Sequence, residues 1–471
     1  MGSNTMSSGG RFQPTLASLL DYECPRWFRD AKFGIYLHWG VYSVAERGEW
    51  YARNLYLEGH PDYLYHLEHY GHPSRFGYKD FIPLWKAERW DPDGLLDLFK
   101  RAGAKYFTPC AVHHDNFDLW NSKHHDWNSV KMGPKRDITG LWREATLKAG
   151  LRFGVTTHLA RSYSWFNTSK GADRSGPLKG VPYDGNDPEY RDFYHEPHPD
   201  IDRRQPANPP ASWRRLWAAR IKDLVENYHP DHLYFDGSIP FRGEDRGRTG
   251  MEVIAHFYNH NIEVNGSLEG VMCIKRREGG THGVYHPGVA TLDIERRRSE
   301  EILPDPWQTD TSIGPWGYRA GAVYRPVGEL IHELIDIVSK NGNVLLNVPP
   351  KADGTLDDET VARLRGIGEW LAINGEAIYG TRPWLWHADG DVRFTRKNGV
   401  LYAIALSWPE PGRVLSIRSL ARTNGIAPIG RITLLGGQTD LRWGHDQEML
   451  RIVIPERLPS PHAIAFRIEF E

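Results

Sequence analysis

The chain has 471 residues, 40% of them hydrophobic, which is enough for one large domain with a smaller one beside it. Its 58 Lys and Arg residues nearly balance 60 Asp and Glu residues, so charge gives no reason to expect nucleic acid or an acidic membrane as partner. Three separated cysteines argue against a disulfide framework, and no stretch is long enough to span a membrane. The 18 Trp and 22 Tyr rings can pack in cores, and they can also stack on the apolar faces of sugars.

Apolar runs that end at Gly, Pro or a polar residue alternate with helical patterns along most of the chain. We expect strands at residues 33–39, 105–112, 152–158, 233–236, 271–275 and 343–348. We expect helices at residues 16–30, 93–102, 141–148, 213–227, 251–263, 326–339 and 360–373. Two long polar stretches, 41–84 and 167–210, are predicted loops. This alternation favours a parallel sheet, and the length favours a (β/α)₈ barrel.

From residue 384 onward the pattern changes to short alternating runs, separated by turn signals such as Asn398-Gly399 and Gly436-Gly437. Such runs are typical of a β-sandwich. We therefore expect an α/β protein in which an irregular (β/α)₈-like barrel is followed by a C-terminal antiparallel β-sandwich. The predicted divisions are a flexible tail at 1–15, the barrel at 16–378 and the sandwich at 379–471.

The N-terminal stretch MGSNTMSSGG has neither a basic segment nor an apolar one, so we expect no signal peptide in this chain. This predicts a cytoplasmic location, or a periplasmic or secreted one if a signal has been removed. The oligomeric state is left open.

Polar side chains follow three predicted strands at the point where each ends: His38, then His113 and His114, then Asp236. In a barrel the carboxyl ends of the strands form the catalytic face. Alone, Asp236 before Gly237 could simply cap a turn. Three successive strand ends that carry His or Asp favour a functional site instead.

A metal site is one interpretation of these residues, because His and Asp are common metal ligands. Metal-binding barrels often need two His at alternate positions of one strand, but no second His stands at the alternate position to His38. His113 and His114 are adjacent, so they converge only if the strand has already ended. We predict no metal and no cofactor, and a metal-dependent barrel hydrolase that uses these three histidines stays open as an alternative.

Sugar chemistry fits the same residues better. Hydrolysis of a glycosidic bond needs two carboxylates, while neutral donors and acceptors hold the sugar hydroxyls. Asp236 can supply one carboxylate, and the second must come from a later strand or loop.

Several longer motifs identify a family. They are the run FGIYLHWG at 33–40, Glu49-Trp50-Tyr51, His113-His114-Asp115, GPKRD at 133–137 and SKNGN at 339–343. Together they resemble glycoside hydrolase family 29, the α-L-fucosidases, over about residues 16–378. The resemblance implies an irregular barrel with a β-sandwich, which agrees with the pattern of elements.

The resemblance also implies a retaining, two-step reaction with Asp236 as nucleophile. His38, His113 and His114 match positions that hydrogen-bond the fucose hydroxyls. Four further residues match positions expected to bind the sugar: Glu49, Trp50, Tyr234 and Trp316. An arginine, Arg276 or Arg277, is expected to reach the fucose.

The acid/base residue is expected at Glu295, which follows the apolar run 289–294 and precedes the Trp-rich motifs as the family's acid does. Glu278, Glu300 and Glu301 are rivals. Glu295 must hold its proton in the first step, and the two carboxylates should lie about 5–5.5 Å apart.

Two departures from the family pattern matter. Asn116 stands where many members have Gly, which is tolerable at positive φ. Gln308 stands where many have Glu, which resembles the branch that prefers α-1,3 and α-1,4 linkages. The predicted function is a retaining α-L-fucosidase acting on fucosylated oligosaccharides or glycoconjugates, with no nucleic-acid or membrane partner. A non-catalytic glycan-binding protein is the other alternative.

Overall fold

The protein is described from a computed structural model, over residues 10–198, 206–276, 286–437 and 440–471. Eight parallel strands pair in chain order, and the last pairs with the first to close a barrel. They are β1 (Phe33–Leu37), β2 (Tyr106–Val112), β3 (Arg152–Thr157), β4 (His232–Phe235), β5 (Val271–Lys275), β6 (Thr291–Asp293), β7 (Trp307–Ser312) and β8 (Gly342–Asn347). Almost every residue of these strands is buried, as expected for strands covered on both faces.

Alternate strand residues fill the barrel interior, and Phe28, which precedes β1, packs against them. Tyr36, Tyr106 and Tyr234 form this inner cluster with Phe28. Other strand residues, such as Ile35, Phe107, Val155 and Leu346, belong to the main core. The interior is therefore a packed core, and the polar site lies above it.

The α-helices are α1 (Leu16–Leu19), α2 (Arg26–Ala31), α3 (Tyr51–Asn54), α4 (Pro61–His69), α5 (Pro92–Arg101), α6 (Ile138–Lys148), α7 (Ser162–Trp165), α8 (Arg191–Tyr194), α9 (Ala211–Tyr228), α10 (Arg248–Asn265), α11 (Val327–Ser339) and α12 (Asp358–Asn374). Short 3₁₀ helices lie at Val41–Ala45, Tyr78–Leu84, Leu159–Arg161, Phe166–Lys170, Asp184–Asn186, Pro188–Tyr190, Gly375–Ala377, Arg418–Leu420 and Arg422–Asn424. Within the described ranges, no helix separates β5 from β6 or β6 from β7. The barrel is irregular for this reason.

The C-terminal strands form two antiparallel sheets. The five-stranded sheet has the order β13 (Ile429–Leu434), β16 (Ile464–Phe470), β11 (Val400–Ala405), β10 (Val392–Lys397) and β9 (Arg382–Asp389). The three-stranded sheet has the order β12 (Val414–Ile417), β15 (Leu450–Val453) and β14 (Trp443–His445). Their inner faces share one apolar cluster, which includes Phe394, Ile417, Ile452 and Phe466.

The predicted fold class, a (β/α)₈-like barrel followed by antiparallel sheets, is confirmed. The predicted helix at 16–30 was wrong in extent, because the chain breaks between α1 and α2 at residues 20–25. β7 was missed because its sequence, WQTDTS, is polar although it is buried. Residues 1–9 of the predicted tail lie outside the described residues, and Phe12 is only 2% exposed. The extent of the tail, 1–15, stays a prediction.

None of the helices in the part of the chain that the structure describes combines the length and the apolar character that crossing a membrane requires. The predicted boundary between residues 378 and 379 stays a prediction.

Candidate active site

A cavity of about 180 Å³ opens at the carboxyl end of the barrel. Side chains from strand ends and from the loops after them line it: Tyr36, His38, Glu49, Trp50, His113, His114, His158, Arg161, Asp236, Lys275, Glu295, Asp310 and Trp316. A larger cavity of about 740 Å³ adjoins it and shares Lys275 and Glu295. The small cavity has the size of one sugar ring, and the larger one leaves room for a second group.

Two carboxylates meet at one ammonium group in this cavity. Lys275 Nζ donates to Asp236 Oδ1 at 2.6 Å and to Glu295 Oε2 at 2.9 Å. Because both bonds share one nitrogen, the two oxygens lie no farther apart than the total of those distances, about 5.5 Å. Asp236 and Lys275 have side chains 11% and 3% exposed, so this contact is largely shielded from solvent.

Asp236 is surrounded by groups that favour its charged form. Burial alone would raise its pKa, but Lys275 and His158 hold the pKa well below the ordinary value. His158 Nδ1 lies 3.3 Å from Asp236 Oδ2, and Arg161 Nη2 lies 3.9 Å from the same oxygen. Asp236 is therefore an ionised carboxylate in the unliganded site.

A second pair of acids lies beneath Lys275. Asp310 Oδ2 is 3.3 Å from Lys275 Nζ and accepts a hydrogen bond from the Tyr234 hydroxyl at 2.9 Å. Burial and the neighbouring Asp310 raise the pKa of Asp293 well above its ordinary value, so Asp293 stays protonated. Gln308 Nε2 donates to Asp293 at 2.8 Å. These residues form a polar floor that supports the lysine.

His38 and His114 are neutral, and hydrogen bonds orient both rings. Asn347 Oδ1, at the end of β8, accepts from both the backbone N–H and Nδ1–H of His38 at 2.9 Å. His114 Nδ1–H donates to the His158 carbonyl at 2.7 Å. Burial lowers the pKa of His114 to about 3 and that of His38 well below its ordinary value. The Nε2 atom of His114 lies 3.4 Å from Asp236 Oδ2, and that of His38 lies 3.5 Å from the Tyr36 hydroxyl.

Two loops complete the rim. The Gly317 N–H donates to Glu49 Oε2 at 2.9 Å, which joins the loop after β1 to the loop after β7. Asn347 Nδ2 donates to the Trp316 carbonyl at 2.8 Å, and the Trp316 and His38 rings lie 5.3 Å apart. Trp316 therefore presents an aromatic wall to the cavity.

Two overlapping sets of ligand atoms could hold a metal ion. They are His38 with His113 and His158, and His114 with His158 and Asp236, each set within 4.8 Å. In the second set, Asp236 already has Lys275 as a close counter-ion. A divalent cation there would have to displace or repel that ammonium group.

Comparison with known proteins decides the family. The profile described as Alpha-L-fucosidase matches residues 1–376. The chain belongs to the α-L-fucosidase family. A second profile of that family, described as Alpha-L-fucosidase C-terminal domain, matches residues 387–469. The predicted resemblance to glycoside hydrolase family 29 is thereby confirmed.

Individual members of the α-L-fucosidase family are similar to this protein over almost its whole length. Tissue alpha-L-fucosidase of Homo sapiens is 32% identical over 462 residues, which is 96% of this chain and 89% of that protein. The Thermotoga maritima alpha-fucosidase in complex with a mechanism based inhibitor superposes with a TM-score of 0.77 at 30% identity. The structure of the same enzyme in complex with fucose superposes with a TM-score of 0.76 at 32% identity. Both structures cover 97% of this chain and 100% of their own.

Eight of the nine residues predicted for the fucosidase site line the small cavity: His38, Glu49, Trp50, His113, His114, Asp236, Glu295 and Trp316. Tyr234 is the exception. It is fully buried, and its hydroxyl donates to Asp310. Its predicted contact with the sugar stays a prediction. Asn116 has φ of 60°, as the departure from Gly predicts.

Of the predicted arginines and rival acids, the described ones, Arg276, Glu300 and Glu301, do not line the small cavity. Arg276 is exposed and lines the larger cavity, whereas Arg277 and Glu278 lie outside the described residues. Glu300 and Glu301 are exposed and do not line the small cavity.

Sequence reasoning missed five of the residues that line the small cavity: Tyr36, His158, Arg161, Lys275 and Asp310. His158 follows β3 and Lys275 ends β5, so the strand-end rule that selected His38 could have found both. Arg161 follows in a short 3₁₀ helix and gives no such signal. Asp310 was missed because its strand was missed.

Proposed function

We propose that this α-L-fucosidase retains configuration and removes terminal α-L-fucose from oligosaccharides or glycoconjugates in two displacements. In the first, an Asp236 oxygen bonds to the anomeric carbon, the bond from that carbon to the leaving oxygen breaks, and Glu295 gives that oxygen its proton. In the second, a water oxygen bonds to the anomeric carbon, Glu295 takes the water proton, and the ester bond to Asp236 breaks. Both side chains return to their starting states.

The separation of the two carboxylates carries this proposal. Their Lys275-bound oxygens are at most about 5.5 Å apart, because each lies within 2.9 Å of Nζ. Retaining glycosidases hold their carboxyl groups roughly 5–5.5 Å apart, whereas inverting enzymes need about 6.5–9.5 Å to fit a water. The observed bound supports direct attack by Asp236.

The surrounding groups support fucose as the sugar. Neutral His38 and His114 line the cavity with polar ring nitrogens, and Trp316 offers a flat apolar face. One relative at 32% identity is described in complex with fucose. The cavity of about 180 Å³ accommodates one such ring.

The nucleophile is tested with Asp236→Gly against an aryl α-L-fucoside. We expect turnover to fall by about four orders of magnitude or more, with the fold intact by circular dichroism and partial recovery when azide is added. Asp126→Gly, at a loop aspartate whose side chain is 82% exposed, is the matched control and should keep full activity. Substantial residual activity in Asp236→Gly would remove Asp236 as nucleophile.

The acid/base is tested with Glu295→Ala. A substrate whose leaving group needs no proton should still form the fucosyl-enzyme, so a burst should appear, and azide should restore turnover. Glu300→Ala and Glu301→Ala are controls that replace exposed rivals. Near-normal hydrolysis of an unactivated fucoside by Glu295→Ala would transfer the role to another residue.

A preference for α-1,3 and α-1,4 linkages is a finer proposal. It rests on the sequence pattern at Gln308, which is buried behind the cavity and bonds Asp293. Linkage-defined oligosaccharides test it: faster release from α-1,3 or α-1,4 than from α-1,2 linkages is expected. The reverse order would reject it.

A further inference from the structure

Lys275 is the least expected group in the site. It ends β5, its side chain is 3% exposed, and its nitrogen lies near three carboxylate oxygens. Asp236 and Glu295 follow β4 and β6, and Asp310 lies within β7. Asp236 is at 2.6 Å, Glu295 at 2.9 Å and Asp310 at 3.3 Å. Nζ donates hydrogen bonds to Asp236 and Glu295, and Asp310 adds a third ion-pair contact.

The proposed reaction moves one negative charge between two of these contacts. Asp236 loses its charge when the ester forms, and Glu295 gains one when it gives up its proton. The second displacement reverses both changes. Lys275 Nζ is already within hydrogen-bond distance of both oxygens, so it has an anionic partner before and after each displacement without changing its position.

We propose that Lys275 is a positioning residue that stays paired with this charge as it passes from Asp236 to Glu295 and back. The proposal rests on the function proposed above and adds a residue to it. In the first step Lys275 keeps Asp236 ionised and holds its carboxylate in position to attack the anomeric carbon. In the second it stabilises the Glu295 carboxylate that must accept the water proton.

The floor of the site fixes the lysine in that place. Asp310 Oδ2 lies 3.3 Å from Nζ and accepts a hydrogen bond from the Tyr234 hydroxyl. The centroid of the Tyr234 ring lies 5.6 Å from Nζ. Burial would lower the pKa of Lys275, but the neighbouring carboxylates keep it above the ordinary value, so the group stays charged. Lys275 is thus a fixed positive charge and not an acid or base in the reaction.

The test compares Lys275→Met, Lys275→Gln and Lys275→Arg in the full chain with an aryl fucoside. All three variants keep the other ionisable groups that face this site, so a change in the pH profile can be assigned to residue 275. These groups are His114, His158, Arg161, Tyr234, Asp293 and Asp310. Without the cation, burial dominates at Asp236, so the acid limb of the kcat/KM profile should move upward by about one pH unit or more. The rate at the optimum should fall about 100-fold or more, in both the burst and the steady state. Lys275→Arg keeps a positive charge, so its acid limb and its rate at the optimum should both lie between those of Lys275→Met and wild type.

Lys340→Met is the matched control, because Lys340 is also buried and bonds Asp336 at 2.8 Å, away from the site. It should lower thermal stability and leave the acid limb in place. If Lys275→Met and Lys275→Gln, measured per folded molecule, keep the acid limb and lose less than threefold in rate, the proposal is overturned. If Lys275→Met does not fold, Lys275→Gln and Lys275→Arg decide by the same criteria. A failure of Asp236→Gly to lose activity would instead overturn the proposed function, so the two failures are distinguishable.

Discussion

His158 Nδ1 lies 3.3 Å from Asp236 Oδ2, so a histidine at the end of β3 faces the carboxylate at the end of β4. The Tyr36 hydroxyl lies 3.2 Å from the other ring nitrogen of His158. If that hydroxyl donates, Nδ1 of His158 carries the hydrogen that faces Asp236. The imidazole then orients and stabilises the nucleophile.

This arrangement predicts that His158→Phe lowers kcat/KM by about 10- to 100-fold, since a donor next to an ionised carboxylate contributes about 1.5–3 kcal/mol. Steady-state kinetics with an aryl fucoside measure it. Tyr36→Phe should have a smaller effect, because it removes only the group that orients the histidine. Equal activity of His158→Phe and wild type would show that the ring does not act on Asp236.

Gly317 lies so close to Glu49 that a side chain does not fit. A Cβ on Gly317 would lie 2.7 Å from the Glu49 backbone nitrogen and 3.1 Å from its Cβ. Gly317→Ala should therefore displace the Glu49-Trp50 segment and lower kcat/KM for a fucoside about tenfold, with most of the change in KM. Gly444→Ala, where a Cβ would meet no atom within 4 Å, is the control. Unchanged KM in Gly317→Ala would mean that this segment does not contact the sugar.

His232 predicts a loss of stability in acid. Burial lowers its pKa from 6.5 to about 3 in the folded state. Between those values the unfolded chain binds a proton that the folded chain does not, so the free energy of unfolding falls as pH falls, by about 1.4 kcal/mol per pH unit. The dependence of the free energy of unfolding on pH, measured by urea unfolding between pH 6.5 and pH 4, should therefore be shallower in His232→Gln than in wild type by the contribution of this one residue. His124→Gln, at an exposed histidine, controls for the substitution. An identical slope in His232→Gln and wild type would contradict the prediction.

Chelation tests the metal alternative. Lys275 pairs with Asp236 at 2.6 Å, so the carboxylate already has a cation that a divalent metal would have to displace. We expect prolonged dialysis against EDTA to leave fucoside hydrolysis unchanged. Activity that is lost on dialysis and returns with Zn²⁺ would favour the metal-dependent hydrolase instead.

The sequence predicted those parts of the fold and site that follow local rules. Apolar runs located six of the eight barrel strands, and strand ends led to His38, His113, His114 and Asp236. Glu295 came from a resemblance and from its place after the apolar run 289–294. Only three residues of that run, Thr291–Asp293, form a strand in the structure.

The residues that were missed depend on tertiary contacts. The polar side chains of β7 point toward buried partners that no sequence window contains, such as Tyr234 for Asp310. Lys275 was passed over in favour of the arginines beside it, because a buried lysine is stable only when carboxylates from other strands surround it. That requirement is visible only after the barrel has closed.

The anomeric configuration of the first product tests the central claim most directly. Hydrolysis of an aryl α-L-fucoside should be followed by proton NMR from the first seconds, before the released sugar equilibrates between its anomers. Attack by Asp236, followed by attack of water on the same carbon, predicts that α-L-fucose appears first and the β anomer grows in later. If β-L-fucose appears first, a single displacement by water has occurred, and the roles given to Asp236 and Glu295 are contradicted.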